Sequence, residues 1–470
     1  MSKMRHNDIV IPPDGTDAFV NCKLDRKQYA EVLTSIVNNY KEGFVLAINN
    51  KWGTGKTTFV KMWQQHLKNN GYQTLYFNAW ENDFQEEVII ALLSELEELR
   101  EKDQENFDKL LEKTATFLKK VVPAAIKGAV SKAVGEEAVG EIAAAAMEFT
   151  TEEVEQHIAT FNEKKKGITD FRNILEKFVD KVDNDKPVVF IIDELDRCRP
   201  DYAVKVLEQV KHLFSVPGIV FVLSIDKVQL GHAIRGVYGS DRINADEYLR
   251  RFIDLEYIIP RPKPVKVSEY FYEYYGFDEI FKSLKYTKTQ NIKRGIIGFS
   301  SIIFNDSNIS IRSLDKIFAI SRIAILSFSK DFKFPQLFMF LVYLKTNNLN
   351  LYTEIKEKKH TVQELFEKLK TVLSYTDDDT SKIIVSFPII DLVIAYFHYY
   401  HTGGLIEKTF YRIHKPNSDE VGIYIDFGFE HKEPNEQAIE DFIATRNKLF
   451  PKLNLSHFLN KIELLEPIDI

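Results

Sequence analysis

The chain has 470 residues, of which 44% are apolar and 28% charged, with a formal net charge of −7. That length holds one large domain or a few smaller ones with a sizeable core, and that charge gives no global electrostatic case for nucleic acid. With only two cysteines, Cys22 and Cys198, a disulfide framework is excluded and a reducing, cytoplasmic setting is expected; the opening MSKMRHNDIVIPPDG lacks the apolar stretch of a secretory leader.

Residues 1–20, with Pro12, Pro13 and Gly15, read as a loose arm. Residues 24–40 have helical spacing through Tyr29, Leu33 and Ile36. Phe44–Ile48 is a short apolar run of strand character, followed by a polar turn with Gly53 and Gly55 and by an amphipathic helix from Lys56. Strand, Gly loop, Gly-Lys-Thr and helix form the context in which a phosphate-binding loop has meaning. Glycines at 53 and 55 let backbone N–H groups turn inward on a triphosphate. The Lys56 ammonium is expected on the β- and γ-phosphates, and the Thr57 hydroxyl on Mg²⁺, with Thr58 extending the helix start. Asn50 stands where the pattern G-x-x-x-x-G-K-[ST] has its first Gly. Asn tolerates left-handed backbone, so the turn is expected to survive.

Gln73–Phe77 reads as a second strand leading into Asn78-Ala79-Trp80-Glu81, a loop at the end of the sheet where ligands bind. Trp80 is either a site residue or a cover for the sheet edge. Residues 84–120 are expected to be long, charged helix, 121–149 an Ala/Gly-rich stretch, and 152–183 charged helix again. The stretch 121–147 carries too many charges for a membrane span. Helix packing is the expectation there, ahead of a partner or a membrane surface.

Val188–Ile192 is a continuous apolar run, as in a parallel strand covered on both faces, and it ends in Asp193-Glu194. An acid at this place reaches Mg²⁺, and the next one can polarise the attacking water. A helix follows over 201–215. A second buried strand, Ile219–Leu223, ends in Ser224-Ile225-Asp226, placed to sense a γ-phosphate. A helix over 228–238, the segment Tyr248-Leu249-Arg250-Arg251 and a last strand at 255–258 complete the core.

In order and spacing over about 21–265, these residues resemble the KAP family of P-loop NTPases. The run Trp52-Gly53-Thr54-Gly55-Lys56-Thr57, Asn78-Ala79-Trp80, Asp193-Glu194-Leu195-Asp196-Arg197-Cys198-Arg199-Pro200, Val216-Pro217-Gly218, Ser224-Ile225-Asp226 and Tyr248-Leu249-Arg250-Arg251 carry the resemblance. The resemblance implies an α/β fold of the additional-strand class, with a mainly parallel sheet, a helical insertion at about 98–168 and a mostly helical C-terminal region. It implies ATP and Mg²⁺ as ligands, bound by Asn50, Trp52, Gly53, Thr54, Gly55, Lys56, Thr57 and Thr58, with Asp193 and Thr57 on the metal and Glu194 activating water. Glu194 stands where the family often has a second Asp. The resemblance is to a soluble bacterial-type member, and since bacterial members are often found in anti-phage defence it implies that context.

By analogy with oligomeric ATPases, Arg250 or Arg251 reaches a neighbour's γ-phosphate, or else pairs locally with Asp246 or Glu247. Arg197 is expected to pair with Asp196 or Asp201. Residues 266–345 are expected to form a helical lid in which Arg312 swings onto the γ-phosphate. The aromatic run Tyr270, Phe271, Tyr272, Tyr274, Tyr275 is expected to pack inward rather than stack on single-stranded nucleic acid. In 346–470, a helix at 361–374, a core element at 384–400 and a strand at 421–429 stand out. His398 and His401 have helical spacing but no further metal ligand. This region is expected to serve a protein partner or a homo-oligomer. The expected activity is ATP hydrolysis driving a switch or motor. The rivals are a non-hydrolysing nucleotide-gated scaffold, a nucleic-acid-dependent ATPase using the basic residues between Arg261 and Arg294, and a membrane-surface protein.

Overall fold

The computed structural model describes residues 7, 9–116, 151–183, 185–284, 289–305, 309–326, 334–372, 379–400, 411–412, 423–424 and 455–463. Five strands, β1 (Phe44–Asn49), β2 (Thr74–Asn78), β3 (Val188–Asp193), β4 (Ile219–Ile225) and β5 (Leu255–Tyr257), form one sheet. Its order is β2-β3-β4-β1-β5, and every pairing is parallel. The sheet therefore places β4 between the loop-bearing strand β1 and the acid-bearing strand β3, as the additional-strand class requires.

The alternation of side chains along a strand divides the apolar runs between two cores. Leu46, Ile48, Val189, Ile191, Val220 and Val222 face helices Lys27–Asn39 and Lys56–Asn69. Val45, Ala47, Phe190, Ile192, Phe221 and Leu223 face helices Val88–Leu96, Pro200–Gln209 and Thr151–Val182. With both faces covered, every residue of β3 and β4 is buried, and that is why these runs show no polar alternation in sequence. The register aligns the strand ends. Ile48 lies opposite Ser224, Ser224 opposite Asp193, and Asp193 opposite Asn78.

The long helix expected over 84–120 is broken. Val88–Leu96 passes into a short 3₁₀ helix, Glu97–Lys102, and a new helix spans 104–116. Asp103 starts that helix, its carboxylate accepting from Asn106 N at 3.3 Å. Leu99, Phe107 and Leu110 join Phe171, Leu175 and Phe178 in the core beneath the sheet. The readings made for 121–149 lie outside the described residues. The helix expected over 201–215 runs Pro200–Gln209 and widens into a π turn, Val210–Phe214.

Beyond β5, helices from Pro264–Tyr274 to Pro335–Asn347 share one core with Leu349–Lys356, Val362–Val372, Asp379–Tyr400 and Leu455–Ile462. Phe271, Tyr272 and Tyr275 are buried in it, and Tyr270 and Tyr274 pack against it. Their faces are thus occupied by protein. Ile423–Tyr424 pairs with Tyr411–Arg412; the rest of the expected strand at 421–429, and the side chains of His398 and His401, lie outside the described residues. Among the described residues no helix is long and apolar enough to cross a membrane.

Candidate nucleotide site

The loop after β1 is shaped by its glycines. Gly53 and Gly55 take φ of +76° and +81°, backbone that L side chains rarely adopt. Gly55 ends the loop as the residue before helix Lys56–Asn69, so the free N–H groups of that helix open toward the loop. The Lys56 ammonium folds back over the loop, donating to Asn50 O and to Lys51 O at 3.3 Å. Burial holds this ammonium below the ordinary lysine range, against Asp196, Asp226 and Asp193, whose charges raise it. Asp193 ends β3, Asp196 lies in the turn just after it, and Asp226 follows β4.

Asn50 departs from expectation. Its backbone is not left-handed. Instead its side chain pairs with the backbone of Ile259, Nδ2 donating to Ile259 O and Oδ1 accepting from Ile259 N, each at 3.0 Å. A glycine could not make this pair, which ties the loop to the chain leaving β5.

Trp52 spans the two acidic strand ends. Its backbone N donates to Asp226 Oδ2 at 3.2 Å, and its indole Nε1 donates to Asp196. Asp226 also begins helix Lys227–Tyr238, accepting from Val228 N and Gln229 N at 3.2 and 3.4 Å. One carboxylate therefore fixes both a helix start and the loop. Ser224, at the end of β4, is fully buried and its Oγ has no hydrogen-bond partner.

At the end of β3, Asp193 accepts from Tyr76 OH on Oδ2 and from Glu194 N on Oδ1, both at 2.9 Å. Glu194 itself stands at φ +61°. For a non-glycine residue this is strained backbone, of the kind concentrated at functional sites. Its carboxylate takes Asn78 Nδ2 at 3.4 Å and an ion pair from Arg197 Nη1 at 2.5 Å. Arg197 therefore pairs with Glu194, not with Asp196 or Asp201, because the turn Leu195–Arg197 brings position 197 back over 194. Burial pushes the Glu194 carboxyl up, while Arg197 holds it down. The Arg197 guanidinium also lies over the half-exposed Trp80 ring at 5.5 Å. Trp80 is thus a neighbour of the site's acid through Arg197.

Helix Ile311–Leu326 starts against the loop. Arg312 N donates to Gly53 O at 3.1 Å, and Ser310 Oγ accepts from Ser313 N. A Cβ at Gly53 would lie 2.8 Å from Ser310 Oγ, so the glycine is also a contact requirement. Arg250 pairs with Glu247 at 3.0 Å on the surface, and Arg251 is exposed. A cavity of about 440 Å³ opens between the loop and the helical region, with Trp52, Thr54, Ile258, Pro260, Arg261 and Ile311 among its walls. A larger one, about 690 Å³, lies at the opposite ends of the strands beside Lys41, Pro187 and Gly218, away from these acids.

The donors fit a hard cation. The Thr57 hydroxyl begins the helix, partly exposed, and Asp193 offers carboxylate oxygen. Among the described residues no three His, Cys, Asp or Glu gather to hold a metal alone. Phosphate and water would complete the shell, which is how Mg²⁺ is usually held. Arg26, which donates to Gly55 O and Thr54 O, Tyr76 on Asp193 and Asn78 on Glu194 border these residues as well. Their sequence positions outside the two motifs gave no sign of it, apart from Asn78 at a strand end.

A glycine loop on β1, acids ending β3 and a strand between the two define the additional-strand P-loop NTPase fold. The model of the KAP family P-loop domain matches residues 26–283, more than half of the chain, and the chain belongs to that family. No curated protein matches. Two solved structures of the Aeropyrum pernix ORC2 protein are similar: the ADPNP-ADP complexes, at 14% identity and TM-score 0.36 over 82% of this chain and 83% of that one, and the ADP form, at 9% and 0.30 over 81% of each. That likeness is too distant to carry a function across.

Proposed function

We propose that the protein binds ATP with Mg²⁺ and hydrolyses it, coupling turnover to a partner as a switch or motor. The glycine loop on β1, tied through Trp52 to Asp226 and Asp196 and separated by β4 alone from the acid-ended β3, supports this reading most strongly. Lys56 takes the β- and γ-phosphates, and the amides from Gly53 to Thr58 cradle them. Thr57 and Asp193 would hold the metal, which would supply positive charge against the phosphate oxygens. Glu194, freed from Arg197, orients a water and accepts its proton as the oxygen attacks the γ-phosphorus and the bond to ADP breaks. Ser224 and Asp226 border the γ-phosphate, and Arg312 approaches it from the helical region. Arg250 or Arg251 serves a neighbouring copy in a homo-oligomer. The cavity of about 440 Å³ takes the base.

The nucleic-acid reading is weaker. Lys266 pairs with Asp25, Lys293 lies 3.8 Å from Glu273 and Asp278, and Arg261 donates to Phe304 O and Ile309 O. A cytoplasmic location rests on the scarcity of cysteine, and a part in anti-phage defence on the family resemblance alone. The test is phosphate release from ATP by the wild type and by Lys56→Ala, with Mg²⁺ and with a chelator. Turnover that survives both changes removes the reading.

A further inference from the structure

We propose that Arg26 is a second cationic determinant of polyphosphate binding, a positioning residue that acts on the ligand through the backbone of the loop. The inference rests on the nucleotide reading above. Arg26 lies outside the loop motif, immediately before helix Lys27–Asn39, yet it is only 5% exposed. Its Nη1 donates to Gly55 O at 2.9 Å and its Nη2 to Thr54 O at 2.6 Å. Its Nε is buried and has no partner, and among the described residues no carboxylate pairs with the guanidinium. A Cβ at Gly55 would lie 2.9 Å from Nη1, so the fork packs against the loop backbone, and Arg26 also lines the cavity beside Trp52 and Thr54.

A buried cation without a counter-ion is costly, and this one makes its charged hydrogen bonds to two neutral carbonyls. In a planar trans peptide, C=O and N–H point in opposite directions. Drawing the carbonyls of Thr54 and Gly55 back toward Arg26 therefore turns the N–H groups of Gly55 and Lys56 the other way. Charge-assisted hydrogen bonds to those carbonyls also polarise the same amides. The missing counter-charge is then the polyphosphate that the loop's N–H groups face. Lys56 meets the anion directly, whereas Arg26 aims the amides and adds positive potential.

The experiment is equilibrium binding of ATP, ADP and AMP, each with Mg²⁺, to the wild type, Arg26→Met and Arg26→Lys. Arg26→Met is expected to weaken ATP about tenfold or more, comparable to losing one charge-assisted hydrogen bond. The loss should shrink from ATP to ADP to AMP. Arg26→Lys, which keeps a charge without the fork, should lose less in the same order. A folded Arg26→Met protein that binds all three as the wild type does, or loses one common factor for all, overturns the proposal. If Arg26→Met does not fold, Arg26→Lys decides, and wild-type affinity for all three overturns it. A wild type that binds none of the three overturns this proposal together with the nucleotide reading.

Discussion

Arg197 closes an ion pair of 2.5 Å on Glu194, three residues before it, while Glu194 itself stands in left-handed backbone. The acid best placed to activate water is thus held by its own strand-end turn, with Asn78 on its other oxygen. In this account that pair opens in each cycle. Glu194→Gln keeps the side chain's size and removes the base, so phosphate release should fall about 100-fold or more, with ATP affinity changed only a few-fold. Steady-state turnover beside equilibrium binding checks this. Turnover at the wild-type rate would favour a scaffold that is gated by nucleotide without hydrolysing it.

Asn50→Gly restores the usual motif residue, yet it should weaken the protein. It deletes both hydrogen bonds to the Ile259 backbone, 209 residues away, and adds backbone freedom. We expect a loss of about 1–3 kcal/mol, measured by denaturant unfolding. Unchanged or increased stability would show that the pair with Ile259 matters little.

Trp52→Phe keeps an aromatic ring but removes the indole donor from Asp196, a carboxylate only 8% exposed. A buried acceptor left short of a donor costs about 1–3 kcal/mol. Thermal unfolding should show that loss, and Asp196→Asn together with Trp52→Phe should cost less than the sum of the two single changes.

These residues also mark what the sequence makes legible. β3 and β4 stood out because Val188–Ile192 and Ile219–Leu223 are unbroken apolar runs, the mark of strands covered on both faces. The loop and the acids were legible because their chemistry is local in sequence. The Asn50–Ile259 pair and the contact of Arg26 with the loop were not, since each joins segments far apart in the chain. Arg197 misled because acids at 194, 196 and 201 all lie within reach, and only the turn geometry chooses among them. The break at 97–102 carries no Gly or Pro, so nothing local announced it.

Glu95, on helix Val88–Leu96, is pushed up to about 7 by burial, with Glu98 adding to the effect. The folded state therefore binds this proton more tightly than the unfolded chain, whose ordinary value is 4.5. Its stabilising contribution is complete below 4.5 and is lost as pH rises through about 7. Melting temperatures at pH 5.5 and 8 should fall further apart in the wild type than in Glu95→Gln. Equal differences in the two proteins would refute the assignment.

The central claim is that Lys56, Asp193 and Glu194 act on one metal-bound triphosphate, and a crystal structure with a non-hydrolysable ATP analogue and Mg²⁺ tests it most directly. We predict the γ-phosphate against the Lys56 ammonium, the metal on Thr57 Oγ1 and near Asp193, and Glu194 released from Arg197 toward the attacking side. A nucleotide bound elsewhere, or bound here with its phosphates and metal remote from Asp193, would contradict the account.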